Sequence, residues 1–166
     1  MSYFAAALAH TPEGWTGREF ELTGVDDLDG LADALRDLAP DGPGPSLLLL
    51  EEDDEYVAVV RVDGGAAGLD DPRVFLSDRR AVQGSEVAAM LWEDTDDEPA
   101  DSGDPDQGTR PVAEPVGDTA VLADLGTPAD DLLDLCAEEG LLPADVLTVL
   151  GERGGFLDVL DGLREM

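Results

Sequence analysis

Apolar positions in the first part of the chain have the spacing of β-strands. Residues 2–9 are apolar on both sides of an extended chain, which is typical of an interior strand. Residues 18–22 alternate polar and apolar side chains like a half-buried strand, and the turn residues Pro12 and Gly14 lie between the two segments. This pattern predicts a β-hairpin built from residues 2–9 and 18–22.

A helical pattern follows the predicted hairpin. Asp26 and Asp27 suit the positive N-terminal end of a helix, and Pro40 cannot continue it. The apolar side chains between these signals recur on one helical face: Leu28, Leu31, Ala32, Leu35, Leu38 and Ala39. The sequence therefore predicts one amphipathic helix here.

Three more strands and a second helix are predicted before residue 93. Apolar runs at residues 47–50 and 56–62 flank a run of acids, and residues 70–78 contain a third apolar segment. A helix is expected over residues 78–92, where Gly84 is a weak point because glycine disfavours helix interiors.

The remaining residues divide into a polar stretch and a helical stretch. Residues 93–117 hold almost no large apolar side chains, so burial cannot offset the entropy cost of ordering them. Three short helices are predicted after them, beginning near Pro128, Pro143 and Phe156. None of these helices is long enough to be stable alone, so they must pack on each other or on the sheet.

These elements predict an α+β fold. It has a mainly antiparallel sheet of about five strands with two helices, plus a small C-terminal helical unit. The predicted division is an α+β domain at 1–92, an acidic disordered linker at 93–117 and a helical subdomain at 118–166. The pattern leaves open the strand order and whether the helical unit docks on the sheet.

The net charge of the chain is strongly negative, and it determines which kinds of partner are expected. The chain has 40 acidic residues and 9 basic ones, and its formal net charge is -31. Such a charge repels phosphate backbones, so no direct contact with nucleic acid is expected, whereas a basic protein surface would be attracted. The N-terminal run lacks the basic residues of a signal peptide and is too short to span a membrane, which predicts a cytoplasmic protein with no membrane contact.

Five consecutive acids follow the third predicted strand: Glu51, Glu52, Asp53, Asp54 and Glu55. A calcium loop needs ligands at alternating positions and a glycine at the bend, and this run has neither. Carboxylates that act as catalytic acids and bases lie in a cleft, where burial separates their pKa values. Carboxylates at the tip of a hairpin are solvated instead. The run therefore predicts a solvated turn and a candidate acidic interaction surface.

No other group suggests a cofactor, a metal or a catalytic residue. His10 is the single histidine, and Cys136 lies on the apolar face of its helix, so the two cannot form a Cys/His zinc site. Nothing basic lies near Cys136 in the sequence to activate its thiol. The glycine-rich segment at 64–68 lacks the Lys-Ser/Thr ending of a phosphate-binding loop.

Four sequence blocks carry a resemblance to a bacterial family of tRNA adenosine deaminase-associated proteins: "SYFAAALAHTPEGW", "LLLLEEDDEYVAVVRVDG", "DDPRVFLSD" and the segment from "PVGDTAVLADLG" to "VLTVLGERGGF". The resemblance implies a link to a deaminase and no catalytic residues. A zinc nucleobase deaminase itself needs H-x-E and P-C-x-x-C. Here Thr11 and Pro12 follow His10, and Cys136 has no second cysteine, so the chain is not that enzyme.

The leading hypothesis is a non-enzymatic acidic protein that binds and regulates a tRNA adenosine deaminase or another basic protein. One alternative is a small enzyme or ligand-binding domain with a cleft between sheet and helices. Another is a homodimeric structural protein, since the sequence leaves a homo-oligomer open. A pocket with convergent polar groups would favour the enzyme, and a flat apolar patch rimmed by acids would favour the partner protein.

Overall fold

One antiparallel sheet of six strands organises the protein. The computed structural model describes residues 3–22, 24–38, 44–52, 56–62, 72–78, 81–92, 115–137 and 142–165. The strands are β1 (Tyr3–Thr11), β2 (Gly14–Glu19), β3 (Ser46–Glu52), β4 (Tyr56–Val62), β5 (Arg73–Leu76) and β6 (Val116–Gly117). Their order across the sheet is β2-β1-β3-β4-β5-β6, and every neighbouring pair is antiparallel. The predicted α+β class is confirmed, with one strand more than expected.

The N-terminal hairpin is confirmed, but its second strand starts earlier than residues 18–22. Thr11 pairs with Gly14, so only two residues separate β1 from β2. Gly14 has a φ of 125°, which L-residues with a side chain rarely adopt. This glycine allows the chain to reverse at once.

Helix α1 (Leu28–Arg36) forms where the pattern predicts it. The side chain of Asp27 caps the helix by accepting a 2.8 Å hydrogen bond from the backbone N–H of Gly30. Leu31 and Leu35 are fully buried against the sheet, which is the expected result of the apolar spacing.

The helix predicted over residues 78–92 is two short helices, α2 (Ala81–Gly84) and α3 (Glu86–Leu91). Ser85 lies between them in an extended conformation, and its Oγ accepts a hydrogen bond from the backbone N–H of Ala88. A serine N-cap starts a new helix here and explains why the two helices do not merge.

The C-terminal helices begin at the predicted places. They are α4 (Ala129–Ala137), α5 (Pro143–Gly154) and α6 (Leu157–Arg164), preceded by a 3₁₀ turn at Ala123–Leu125. Strand β6 lies inside the predicted linker, whose residues 93–114 fall outside the described residues. The division into three segments stays a prediction.

Both faces of the sheet are covered by helices. Leu48 and Leu50 face α1 and α3, while Leu47 and Leu49 face the C-terminal helices. Strands buried on both sides have continuous apolar runs, which explains why these four leucines are consecutive. The C-terminal helices therefore pack on the sheet, and the protein has a helix–sheet–helix arrangement.

Phe156 lies at the centre of the packing between α5, α6 and the sheet. Its ring is fully buried and meets the ring of Trp15 edge-on, with 5.1 Å between the centroids. The indole N–H of Trp15 donates a 3.1 Å hydrogen bond to the carbonyl oxygen of Gly154.

Across the described ranges, no helix has the length and apolar character needed to cross a membrane.

Candidate functional site

The end of β3 carries a buried carboxylate. Glu52 is only 6% exposed and lies directly opposite Tyr56 on β4. Its Oε1 accepts a 2.8 Å hydrogen bond from the Tyr56 hydroxyl and a short one from the Ser85 hydroxyl. Since Ser85 also caps α3, these bonds tie the ends of two strands to the start of a helix.

This geometry corrects the solvated-turn prediction for Glu52, because its carboxylate points into the protein. Glu51 is also withdrawn from the tip: its Oε1 lies 3.4 Å from Nη2 of Arg164, whose guanidinium stacks over the ring of Phe4. The other predicted members of the acidic surface, Asp53, Asp54 and Glu55, lie outside the described residues. Their role in an interaction surface stays a prediction.

Replacing Ser85 by Ala should lower the free energy of unfolding by about 2–3 kcal/mol, because it removes both the helix cap and a donor to a buried carboxylate. Asp27→Ala is the matched control, since it removes only an exposed cap and should cost about 1 kcal/mol. Urea unfolding measures both. Equal losses in the two variants would contradict a structural role for the Glu52 contact.

Two arginines face each other across neighbouring strands. Arg61 on β4 is paired in register with Arg73 on β5. The guanidinium group of each arginine contacts a carboxylate in the segment that follows β6. Arg61 binds both carboxylate oxygens of Asp124, at 2.5 and 2.9 Å, and donates to the Val121 carbonyl at 2.8 Å. Nε of Arg73 donates to Asp118 at 2.5 Å.

These contacts form what we call the arginine clasp: Arg61, Arg73, Asp118 and Asp124. Like charges directly opposed on a sheet repel each other, and the two aspartates offset the repulsion between the two arginines. The hydrogen bond from Arg73 lowers the pKa of Asp118, and the one from Arg61 lowers the pKa of Asp124, each below its ordinary value of 3.8. The clasp is a structural link between the sheet and the segment that leads from β6 into the C-terminal helices.

The clasp predicts a specific dependence of stability on pH. A carboxyl whose folded pKa is lowered contributes stability that is present above the unfolded pKa and lost as the pH falls through the folded pKa. The stability gap between the natural protein and D118N/D124N should therefore be widest near neutral pH and narrow below about pH 4. Urea midpoints across this range measure the gap. A gap that is constant with pH would contradict the assignment.

The single histidine and the single cysteine do not form a reactive group with each other. The ring of His10 is exposed at the end of β1 and packs on Trp15, with 4.8 Å between the centroids. Cys136 is half-buried, and its burial raises the pKa of the thiol to about 11. A thiol with that pKa is almost entirely protonated near neutral pH and is a poor nucleophile. Within the described segments, no group of three metal-ligating side chains comes together.

A second acidic surface, not singled out in the sequence analysis, lies on α1. The outward side of α1 and the segment before it expose five aspartates: Asp26, Asp27, Asp29, Asp33 and Asp37. We call this set the α1 acidic face. Arg36 partly offsets it by pairing with Asp33 at 3.2 Å. The polar positions between the leucines of α1 were the signal that could have indicated this surface.

Comparison with known proteins identifies the family. A family model described as Rv3753c-like tRNA adenosine deaminase-associated protein matches residues 3–157, which include every strand and helices α1 to α5 and end at the first residue of α6. No match was found among curated proteins or among solved structures. The chain belongs to the family of Rv3753c-like tRNA adenosine deaminase-associated proteins.

Proposed function

We propose that this protein is a cytoplasmic, non-enzymatic partner that binds a tRNA adenosine deaminase and regulates it. The family description carries the proposal, because it names an association with that enzyme. The net charge of -31 and the α1 acidic face support it, because they supply the charge that a basic protein surface would attract.

The physical argument rests on what a tRNA-binding enzyme must present. Proteins hold nucleic acids largely through basic side chains against the phosphates, so such an enzyme has a basic surface. A densely acidic protein complements that surface and would compete with tRNA if the two sites overlap. Regulation would then follow from occupancy of the surface, with no chemistry performed by this chain.

Calorimetric titration of the deaminase from the same organism with this protein tests the proposal. Binding should be detectable at low salt and should weaken about tenfold or more as the salt concentration rises severalfold, because screening shortens the reach of exposed charges. No heat of binding at low salt, together with an unchanged deamination rate, would overturn the proposal.

A pair of matched variants tests the contribution of the α1 acidic face. D26N/D29N removes two of its charges, and D134N/E152Q removes two exposed charges from α4 and α5. An exposed ion pair contributes about 0.2–1 kcal/mol, so D26N/D29N should weaken binding roughly threefold or more. The control should change affinity less, since its charges lie on the helices that cover the other face of the sheet.

Competition with tRNA decides where the protein binds. If the acids occupy the surface that binds tRNA, unlabelled tRNA should displace the protein from the deaminase, and the protein should slow deamination. Binding that tRNA does not affect would place the contact elsewhere on the enzyme and would contradict regulation by occupancy.

A further inference from the structure

One edge of the sheet is formed by a strand that is long enough to pair with an added strand. Strand β2 is terminal in the sheet order, so only its inner side pairs with another described strand. The strand at the opposite end, β6, has 2 residues, whereas β2 has 6. An unpaired strand edge is a template on which a further strand can form hydrogen bonds.

The hydrogen-bond register shows which backbone groups of β2 face away from the sheet. Phe20 N–H donates to the Ala5 carbonyl at 2.8 Å, so this pair is directly bonded. Bonded and non-bonded pairs alternate along an antiparallel ladder. The backbone groups of Arg18 therefore face β1, and those of Gly17 and Glu19 face outward. The 3.1 Å bond from His10 N–H to the Pro45 carbonyl, on the other side of β1, fits the same alternation.

The surroundings of this edge are acidic. Helix α6 packs against β2, with Val159 close to Gly17. Acids are exposed on β2, on the residues next to it and on α6: Glu13, Glu19, Glu21, Asp158 and Asp161. Arg18 is the exposed basic residue of the strand. A peptide segment that adds to this edge would be favoured electrostatically if it carried Lys or Arg.

We propose that the outer edge of β2 accepts an extended basic segment of the partner protein as an added antiparallel or parallel strand. This inference rests on the proposed function and assigns a second contact surface in addition to the α1 acidic face. The added strand bonds to the outward N–H and C=O groups of Gly17 and Glu19, and the flanking acids select its basic side chains. A second copy of this chain fits the edge poorly, because each copy carries a net charge of -31.

The test compares two substitutions that remove the same carboxylate. Glu19→Pro also replaces the outward N–H by a ring that blocks an added strand, while Glu19→Gln leaves the backbone donor in place. The probe is the tRNA adenosine deaminase of the same organism. Glu19→Pro should weaken binding of the deaminase at least about tenfold relative to Glu19→Gln, because the loss of a hydrogen bond and a steric clash both oppose binding.

Two measurements separate this effect from simple unfolding. Arg18→Pro removes an N–H that faces β1 and should lower the melting temperature, whereas Glu19→Pro should leave it close to that of the natural protein. In the unsubstituted protein, the amide hydrogens of Gly17 and Glu19 should become protected from exchange when the deaminase binds. Equal destabilisation by both prolines would contradict the inferred register and overturn the proposal.

The outcomes distinguish the two proposals. If the natural protein binds the deaminase but Glu19→Pro and Glu19→Gln bind equally well and neither amide is protected, the β2 proposal is overturned and the proposed function stands. If the natural protein does not bind the deaminase, both are overturned. A dimer of this chain that Glu19→Pro dissociates would identify a second copy as the occupant and would also overturn the β2 proposal.

Discussion

Replacing Asp124 by Ala should lower the free energy of unfolding by about 3 kcal/mol. The arginine clasp is asymmetric, because the side chain of Arg61 is 6% exposed while that of Asp124 is 63% exposed. The substitution removes both carboxylate contacts from a buried guanidinium, and removing one partner of a buried ion pair is strongly destabilising. Urea unfolding at neutral pH measures the loss.

A second ion pair provides the matched control. Arg153 and Asp131 also approach closely, at 2.6 Å, but their side chains are 39% and 43% exposed. Asp131→Ala should therefore cost less than about 1 kcal/mol. The double variant R61M/D124A should recover part of the loss of Asp124→Ala, because no buried charge remains. If Asp131→Ala lowers the free energy of unfolding as much as Asp124→Ala does, the burial of Arg61 does not determine how much the clasp contributes to stability.

The largest loss of stability is expected from Phe156→Ala, at about 3–5 kcal/mol. The ring is fully buried between the C-terminal helices and the sheet, and its removal leaves a cavity beside Trp15. The neighbouring backbone cannot collapse freely into that cavity, because Trp15 is held by its bond to Gly154.

Thermal unfolding of Phe156→Ala also tests whether the helical subdomain is independent. Because the C-terminal helices share a core with the sheet, the variant should unfold in a single transition at a lower temperature. Leu142→Ala is the control and should have almost no effect, since this side chain is 51% exposed. Two separated transitions would instead support the predicted division between the sheet and residues 118–166.

Local signals predicted the elements of the fold that depend on local interactions. The cap at Asp27 and the proline before α4 act within a few residues of where they stand in the chain, so the helix starts were predictable. The hairpin was predicted with its second strand too late, because a two-residue turn closed by Gly14 cannot be distinguished from a longer loop by apolar spacing alone. Strand β6 has 2 residues and leaves no periodicity to detect.

The polar clusters could not be predicted, because their members are distant in the sequence. Glu52 meets a serine 33 residues later, and Arg61 meets an aspartate 63 residues later. Within a run of acids, nothing local marks Glu52 as a carboxylate that turns inward. The α1 acidic face was predictable in principle, since its aspartates alternate with a leucine stripe that was itself recognised.

The two-sided burial of the sheet has a consequence for synthesis on the ribosome. The first five strands are complete when residue 76 has been made, but the side of the sheet carrying Leu47 and Leu49 is covered by segments that begin at residue 121. During the translation of the intervening residues, the nascent chain exposes apolar leucines beside two opposed arginines. We expect chaperones that bind exposed apolar surface to associate with the emerging chain, and to be released once the C-terminal helices are made.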